Sequence, residues 1–220
     1  VKLQIIDTSD KLEQLIEELT RHTNPLQPVA WDTETTALEP KDAALVGIGC
    51  CWGNEVTEVA YIPTFHTQGK HLNLEDVLAA LRPILEWETY PKVFQNAKFD
   101  RLIFQQQGIN LKGVVFDTLL ASYVLHPELT HNLQDLGDRY LSGITSQSYD
   151  SLNLSKGQTL ADLEIVKVAE YCGLDAYVTF QLVTPLREAL NKNTQLSDLF
   201  SQVELPLEKV LAEMEAIGIR

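Results

Sequence analysis

The 220-residue sequence predicts an α/β fold, a mixed sheet with helices packed on its faces. Three observations predict it. Two strand-like runs, 44–52 and 56–62, are separated by the turn dipeptide Gly53-Asn54 and read as an antiparallel hairpin. Downstream, short apolar runs alternate with helical patterns, the order that places parallel strands beside a hairpin. Between the first helix and the hairpin lies Pro28-Val29-Ala30-Trp31-Asp32-Thr33-Glu34, a strand around which the rest is organised. Side chains alternate along a strand, so Asp32 and Glu34 project from one face. Adjacent carboxylates repel, and a divalent cation bound by hard oxygen ligands is the usual compensation. Solvated acids at a strand end are the plainer alternative, and only the other carboxylates decide between the two.

Taken in order, residues 1–7 read as a strand, and Ser9 or Asp10 caps a helix through about Arg21. Leu12, Leu15, Ile16 and Leu19 supply its apolar stripe at helical spacing. After the key strand and the hairpin, residues 63–71 form a polar loop. Leu74 to Trp87 is a helix that Pro83 bends or ends. Lys92 to Gln95 is a short strand, followed by a helix from Asn96 to Gln107 that Gly108 terminates. Val114 to Phe116 is a further strand. Helices then run over 117–125, stopped by His126-Pro127, and over 132–141. Residues 142–158, rich in Ser, Gly, Asn and Gln, read as a mobile surface loop. Long helices cover 160–189 and 197–217, and no internal repeat or low-complexity tract interrupts the chain.

Hydrophobic residues make up 45% of the chain and charged ones 22%, ordinary values for a globular domain, and no apolar run is long enough for a membrane helix. The start reads as a strand rather than a signal peptide, and a chain that opens on Val1 is expected to be a fragment or a processed product. Cys50, Cys51 and Cys172 show no metal-binding spacing and no disulfide framework, so they read as small buried apolar residues in a reducing compartment. The net charge of -14 argues against tight, non-specific duplex binding, although acids gathered as metal ligands contribute to that charge.

Two further pairs matter. Asn96 is a suitable N-cap and Asp100 falls one turn later, which alone describes an ordinary capped helix with a first-turn acid. Tyr171 and Asp175 stand at i and i+4, on one helix face, which alone describes a half-buried aromatic beside an acid. The order and spacing of all three motifs are far more specific. Asp32-x-Glu34, Asn96-x-x-x-Asp100 and Tyr171-x-x-x-Asp175 resemble the signature of the DEDD exonucleases, in the subgroup bearing tyrosine. Over its whole length the chain is similar to the 3′-5′ proofreading exonuclease domains of bacterial family A DNA polymerases. Asp32-Thr33-Glu34-Thr35-Thr36-Ala37-Leu38, Gln95-Asn96-Ala97-Lys98-Phe99-Asp100, Phe116-Asp117-Thr118 and His131-Asn132-Leu133 carry the likeness. Residues 205–219 resemble the helix that leads into the polymerase domain.

The resemblance implies a ribonuclease-H-like fold with a mixed five-stranded sheet. It also implies two divalent cations, Mg²⁺ or Mn²⁺, and hydrolysis at a DNA 3′ end that releases nucleoside 5′-monophosphates. Four converging carboxylates carry a charge that two cations about 3.5–4 Å apart would neutralise. One activates the attacking water and the other stabilises the leaving 3′ oxygen, so no covalent intermediate is needed. By the same resemblance, Asp32 bridges both cations, Glu34 and Asp175 complete the water-activating site, and Asp100 serves the second cation. Tyr171, with an ordinary pKa of about 10, is a poor base at neutral pH and is expected to orient the water. Thr35 and Leu38 contact the terminal nucleotide, Gln95 and Asn96 touch the sugar-phosphate or brace the site, and Tyr149 stacks on substrate. The expected division is an exonuclease domain over 1–192 and a helix over 193–220 leading into a polymerase domain. The expected partners are a single-stranded or frayed DNA 3′ end and that polymerase domain. The chain is expected to be a monomer in the bacterial cytoplasm, associated with the nucleoid and not with a membrane.

Two departures stand out: Cys172-Gly173-Leu174 where the family usually has alanines and often an acid, and Phe99 where it often has tyrosine. Neither removes a metal ligand, but a helix glycine beside Tyr171 could loosen it. Three rivals remain at this level. A catalytically weak platform for a polymerase is opposed by the presence of all four acids and Tyr171. An RNA 3′-trimming exonuclease is opposed by the polymerase-like C-terminal helix. A protein-interaction domain leaves the carboxylates unexplained.

Overall fold

In the computed structural model, which describes residues 3–219, six strands share one mixed sheet. They are β1 (Gln4–Ile5), β2 (Val29–Thr35), β3 (Leu45–Cys51), β4 (Val59–Pro63), β5 (Lys92–Phe94) and β6 (Val114–Asp117). Their order across the sheet is β1-β4-β3-β2-β5-β6. β2 is central, antiparallel to β3 on one side and parallel to β5 on the other, and β5 runs parallel to β6. The five strands from β2 to β6 make the body of the sheet, and the two-residue β1 adds a parallel edge beside β4. Val1 and Lys2, part of the expected first strand, and Arg220 lie outside the described residues.

The connection between β3 and β4 is longer than a two-residue turn. Residues 56–58 form a single 3₁₀ turn, in which Glu55 N–H donates to Glu58 Oε2 at 2.9 Å. A Cβ on Gly53 would meet the Glu58 carboxylate at 2.1 Å, so this carboxylate folds over a glycine and delays β4 to Val59.

Alternation along β2 sorts the two faces. Val29 and Trp31 join a core with Ile48, Cys50 and Ile62, covered by α1 (Ser9–Thr20) and α2 (Leu74–Leu85). Ala30 faces the other way, with Cys51, Val59 and Val93, toward α6 (Ile165–Asn191). The α1 cap is Thr8, not Ser9 or Asp10: Thr8 has extended backbone (φ -136°) and its hydroxyl accepts from Lys11 N–H at 3.3 Å. α2 runs through Pro83 and ends two residues beyond it, because the proline falls in the last turn.

α3 (Ala97–Gln106), α4 (Thr118–Leu125) and α5 (Leu133–Tyr140) follow the expected order. The 142–158 segment is anchored rather than loose, since Ser146 and Leu152 are buried and Lys167 Nζ donates to Leu152 O at 2.6 Å. Residues 160–162 form a separate 3₁₀ turn, and α6 begins only at Ile165. The expected last helix is broken into α7 (Thr194–Leu199), a π turn over 200–204 and α8 (Leu205–Ala216). Pro206 lacks the N–H that would close an α turn onto Gln202, which favours the wider turn there. The wider turn buries Phe200 against Phe116, with ring centroids 5.0 Å apart.

α8 packs on α3 through a buried, two-pronged ion pair, Arg101 Nε to Glu208 Oε1 at 2.8 Å and Nη2 to Oε2 at 2.9 Å. Among the described residues no helix is long and apolar enough to cross a membrane.

Candidate active site

The key acids lie near the C-terminal end of β2, where the register with β3 shifts between Glu34 and Thr35. Such irregularities at a sheet rim re-aim side chains. Across the ladder, Asp32 faces Gly49 and Glu34 faces Gly47. Neither glycine adopts a left-handed backbone; each is small because something occupies the space above it. A Cβ on Gly49 would stand 2.6 Å from Cys172 Sγ, and one on Gly47 would stand 2.2 Å from the Tyr61 hydroxyl. The two glycines therefore let α6 and the Tyr61 ring settle onto the carboxylate face. α6 delivers Tyr171, Cys172 and Asp175 there, and Cys172 Sγ donates to Asp32 Oδ2 at 3.4 Å.

Asp100 arrives from the neighbouring parallel strand. After β5 the chain turns sharply at Asn96, whose backbone is left-handed (φ 69°), a conformation Asn tolerates better than most residues. Asn96 occupies the cap position of α3, but its side chain makes no capping hydrogen bond. Asp117 does that work. Its buried carboxylate accepts from Asn96 N–H at 3.3 Å and Ala97 N–H at 2.7 Å. It also caps α4, accepting from Leu119 and Leu120 N–H at 2.9 and 3.1 Å. Asp100 then falls in the first turn of α3, 3% exposed, with Thr33 Oγ1 donating to its Oδ1 at 2.7 Å.

Asp175 is held from the other side by the 142–158 segment, where Ser146 Oγ donates to its Oδ1. A cleft of about 390 Å³ opens there, lined among others by Asn132, Ser146, Tyr149, Tyr171 and Asp175. Tyr149 is 45% exposed at this opening, and Leu38, on the loop leaving β2, is 88% exposed. Thr35 Oγ1 donates to Ala37 O at 2.8 Å, shaping that loop. Gln95 is tied down on both ends of its amide, donating to His131 O at 2.8 Å and accepting from Thr118 Oγ1.

The acids sense one another electrostatically. Burial, then the Asp100 charge, raises Asp32 to about 8, and burial raises Asp100 to about 8. Burial and the Asp32 and Asp175 charges push Glu34 well above the carboxylate range, and burial with Asp32 does the same to Asp175. Burial and then the Asp175, Glu34 and Asp32 charges hold the Tyr171 phenol firmly protonated. Burial and the Glu34 charge also raise Tyr149. Among the described residues no cationic side chain pairs with any of these four acids. Glu34 Oε1 is buried and accepts no hydrogen bond. Crowded, uncompensated oxygen ligands with one orphaned acceptor fit a divalent cation, which would supply the missing positive charge.

Three residues here carry no sequence signal of their own. Thr33 and Ser146 fix the orientation of Asp100 and Asp175, and Cys172 stands against Asp32 across 140 residues of chain. Cysteine spacing could not reveal Cys172, because its neighbours are distant acids rather than other cysteines. The Gly47-Ile48-Gly49 alternation within an apolar strand was a legible hint that something packs closely over that face.

The sequence is 52% identical over 220 residues to DNA polymerase I of Synechocystis sp., covering 100% of this chain and 22% of that protein. A solved structure, the POL domain of Pol1 from M. smegmatis in complex with DNA primer-template and dNTP, is similar with a TM-score of 0.65 and 26% identity, over 92% of this chain and 30% of that one. Brucella melitensis NrnC shares the fold at a TM-score of 0.66 and 19% identity, over 98% of this chain and 92% of that one. The chain spans about a fifth of the length of the curated relatives it matches. The sequence model of the 3′-5′ exonuclease family, of the DNA polymerase A type, matches residues 3–191, so the chain belongs to that family.

Proposed function

We propose that this chain removes nucleotides from DNA 3′ ends by phosphodiester hydrolysis, with Asp32, Glu34, Asp100 and Asp175 holding two divalent cations, Mg²⁺ or Mn²⁺. The observation that carries the proposal is the convergence of these acids, from β2, α3 and α6, around an orphaned buried oxygen and without a cationic partner. Bound there, the cations would activate water and stabilise charge on the transferring phosphoryl group.

The chain's own residues do the positioning. Thr33 and Ser146 lock Asp100 and Asp175, so the oxygen ligands are preorganised rather than searching for a geometry. Tyr171 keeps its proton and serves as a hydrogen-bonding group that orients the attacking water, not as a base. Thr35 and Leu38 would meet the terminal nucleotide, and the exposure of Leu38 supports a wedge between bases. Tyr149 offers a stacking face at the cleft mouth, a contact that tolerates any base. Gln95 and Asn96 brace the turn that carries Asp100. DNA is the proposed substrate because the curated relatives are DNA polymerase I.

The same relatives support an exonuclease domain over 1–192 and a C-terminal helix over 193–220 that leads into a polymerase domain, which delivers the frayed 3′ end. A monomer working at the bacterial nucleoid fits this role. The test is digestion of a 5′-labelled single-stranded oligodeoxynucleotide with Mg²⁺ or Mn²⁺. The expected result is a ladder shortening from the 3′ end, abolished by EDTA and by Asp32→Ala. Shortening from the 5′ end, or full activity in Asp32→Ala, would overturn the proposal.

A further inference from the structure

The ligand atoms of Asp32, Glu34 and Cys172 all lie within 4.8 Å of one another. Within that group Asp32 Oδ2 and Cys172 Sγ stand 3.4 Å apart, close to the spacing that two zinc-type bonds of about 2.0–2.3 Å make at one tetrahedral ion. Two observations make this more than a cysteine near acids. Glu34, whose carboxylate belongs to this group, is only 6% exposed, and its buried Oε1 atom has no hydrogen-bond partner. Cys172 packs over the ladder at Gly49, whose missing Cβ leaves the room its sulfur occupies. The other two cysteines are engaged elsewhere: Cys50 lies in the core on the opposite face, and Cys51 Sγ donates to Gly53 O at 3.2 Å.

We infer that Asp32, Glu34 and Cys172 form a mixed oxygen–sulfur site that takes a thiophilic divalent cation of the Zn²⁺ and Cd²⁺ class, with the Cys172 sulfur as a direct ligand. The inference rests on the reading of these acids as a metal centre and adds to it a ligand that hard cations do not use. Carboxylates alone suit Mg²⁺ and Mn²⁺, whereas a sulfur among them shifts preference toward softer ions. As the ion binds, the S–H bond breaks, the proton leaves to solvent, and the sulfur lone pair forms the metal bond, with no change of oxidation state. In the metal-free protein the same sulfur keeps its proton and donates it to Asp32. A thiophilic ion therefore competes with Mg²⁺ or Mn²⁺ for Asp32 and Glu34 and blocks the site.

The test titrates Cd²⁺ into the metal-free 220-residue chain and follows the ultraviolet cadmium–thiolate charge-transfer band, with Mn²⁺ binding followed in parallel by its electron paramagnetic resonance signal. The expected result is a band that saturates with displacement of Mn²⁺, and that disappears in Cys172→Ala and in Cys172→Ser. Cd²⁺ affinity should fall by at least about 10-fold in both variants, the scale of losing a contact to the metal, while Mn²⁺ still binds. A band that survives in Cys172→Ala, or Cd²⁺ that displaces Mn²⁺ from the wild type without any band, overturns the sulfur ligand and leaves the carboxylate centre standing. Failure of both ions to bind overturns the metal centre itself.

Discussion

The packing of α6 on the carboxylate face makes Gly49→Ala the most informative single change. Gly49 has no left-handed backbone to lose, so its cost must come from space, and elsewhere in a strand the added methyl would be tolerated or mildly favourable. Here the new Cβ would stand 2.6 Å from Cys172 Sγ, 3.3 Å from Cys172 O and 3.6 Å from Cys172 C. The first contact is impossible without movement, the second is tight, and the third is ordinary. Cys172 is fully buried, so its sulfur cannot swing into solvent. Either the sulfur leaves its rotamer or α6 lifts, and overpacking of this kind costs about 1–3 kcal/mol. A lift of even 1 Å at Tyr171 and Asp175 would lower turnover by about 100-fold, because reacting groups tolerate little misplacement.

Removing the sulfur should relieve the first contact. Urea unfolding of wild type, Gly49→Ala, Cys172→Ala and the double variant gives the coupling directly. The double variant should be more stable than the sum of the singles predicts by about 1 kcal/mol or more. Strict additivity would refute the claim that the Cys172 sulfur is what Gly49 accommodates. Unchanged stability in Gly49→Ala would refute the close approach of α6 altogether.

Other expectations follow from the same contacts. Asp32 and Asp100 have native values raised to about 8 from 3.8, so the metal-free native state binds more protons than the unfolded chain between those values. Stability contributed by these groups is therefore present at low pH and lost as pH rises from about 4 through about 8; thermal unfolding in EDTA should show Tm falling across this window, and Mn²⁺ should raise Tm most at its alkaline end. Breaking the buried Arg101–Glu208 pair with Glu208→Gln should cost about 3–5 kcal/mol in chemical denaturation, and Arg101→Met with Glu208→Leu should recover most of it. Four N–H groups donate to the two Asp117 oxygens, and Asp117→Asn turns one oxygen into a donor and removes the charge from both helix caps; a loss of about 2–4 kcal/mol is expected, with lower nuclease activity because α3 carries Asp100.

Much of this is legible in the sequence alone. The hairpin, the alternation that follows it and the central strand with Asp32 and Glu34 on one face all arise from local periodicity, which is a property of consecutive residues. The three motifs that supply the four acids were legible for the same reason, since each is a short fixed spacing on one element. What was misread is equally instructive. Asn96 has the composition of a cap, yet the capping bonds to α3 come from Asp117, 21 residues further on. Residues 142–158 have the composition of a loose loop, yet Ser146 is tied to Asp175 and Leu152 is buried. The last helix has continuous helical periodicity, yet Pro206 and the pull of Phe200 into the core open a π turn within it.

The chain alone thus determined most of the elements and the short spacings that carry the four acids, because these depend on residue type and local order. Only the tertiary structure decided what holds those acids in place and what stands beside them. Thr33 on Asp100, Ser146 on Asp175 and Cys172 over Gly49 are contacts across 67, 29 and 123 residues of sequence. No local pattern encodes such pairs; they exist only once the sheet and α6 have closed on one another.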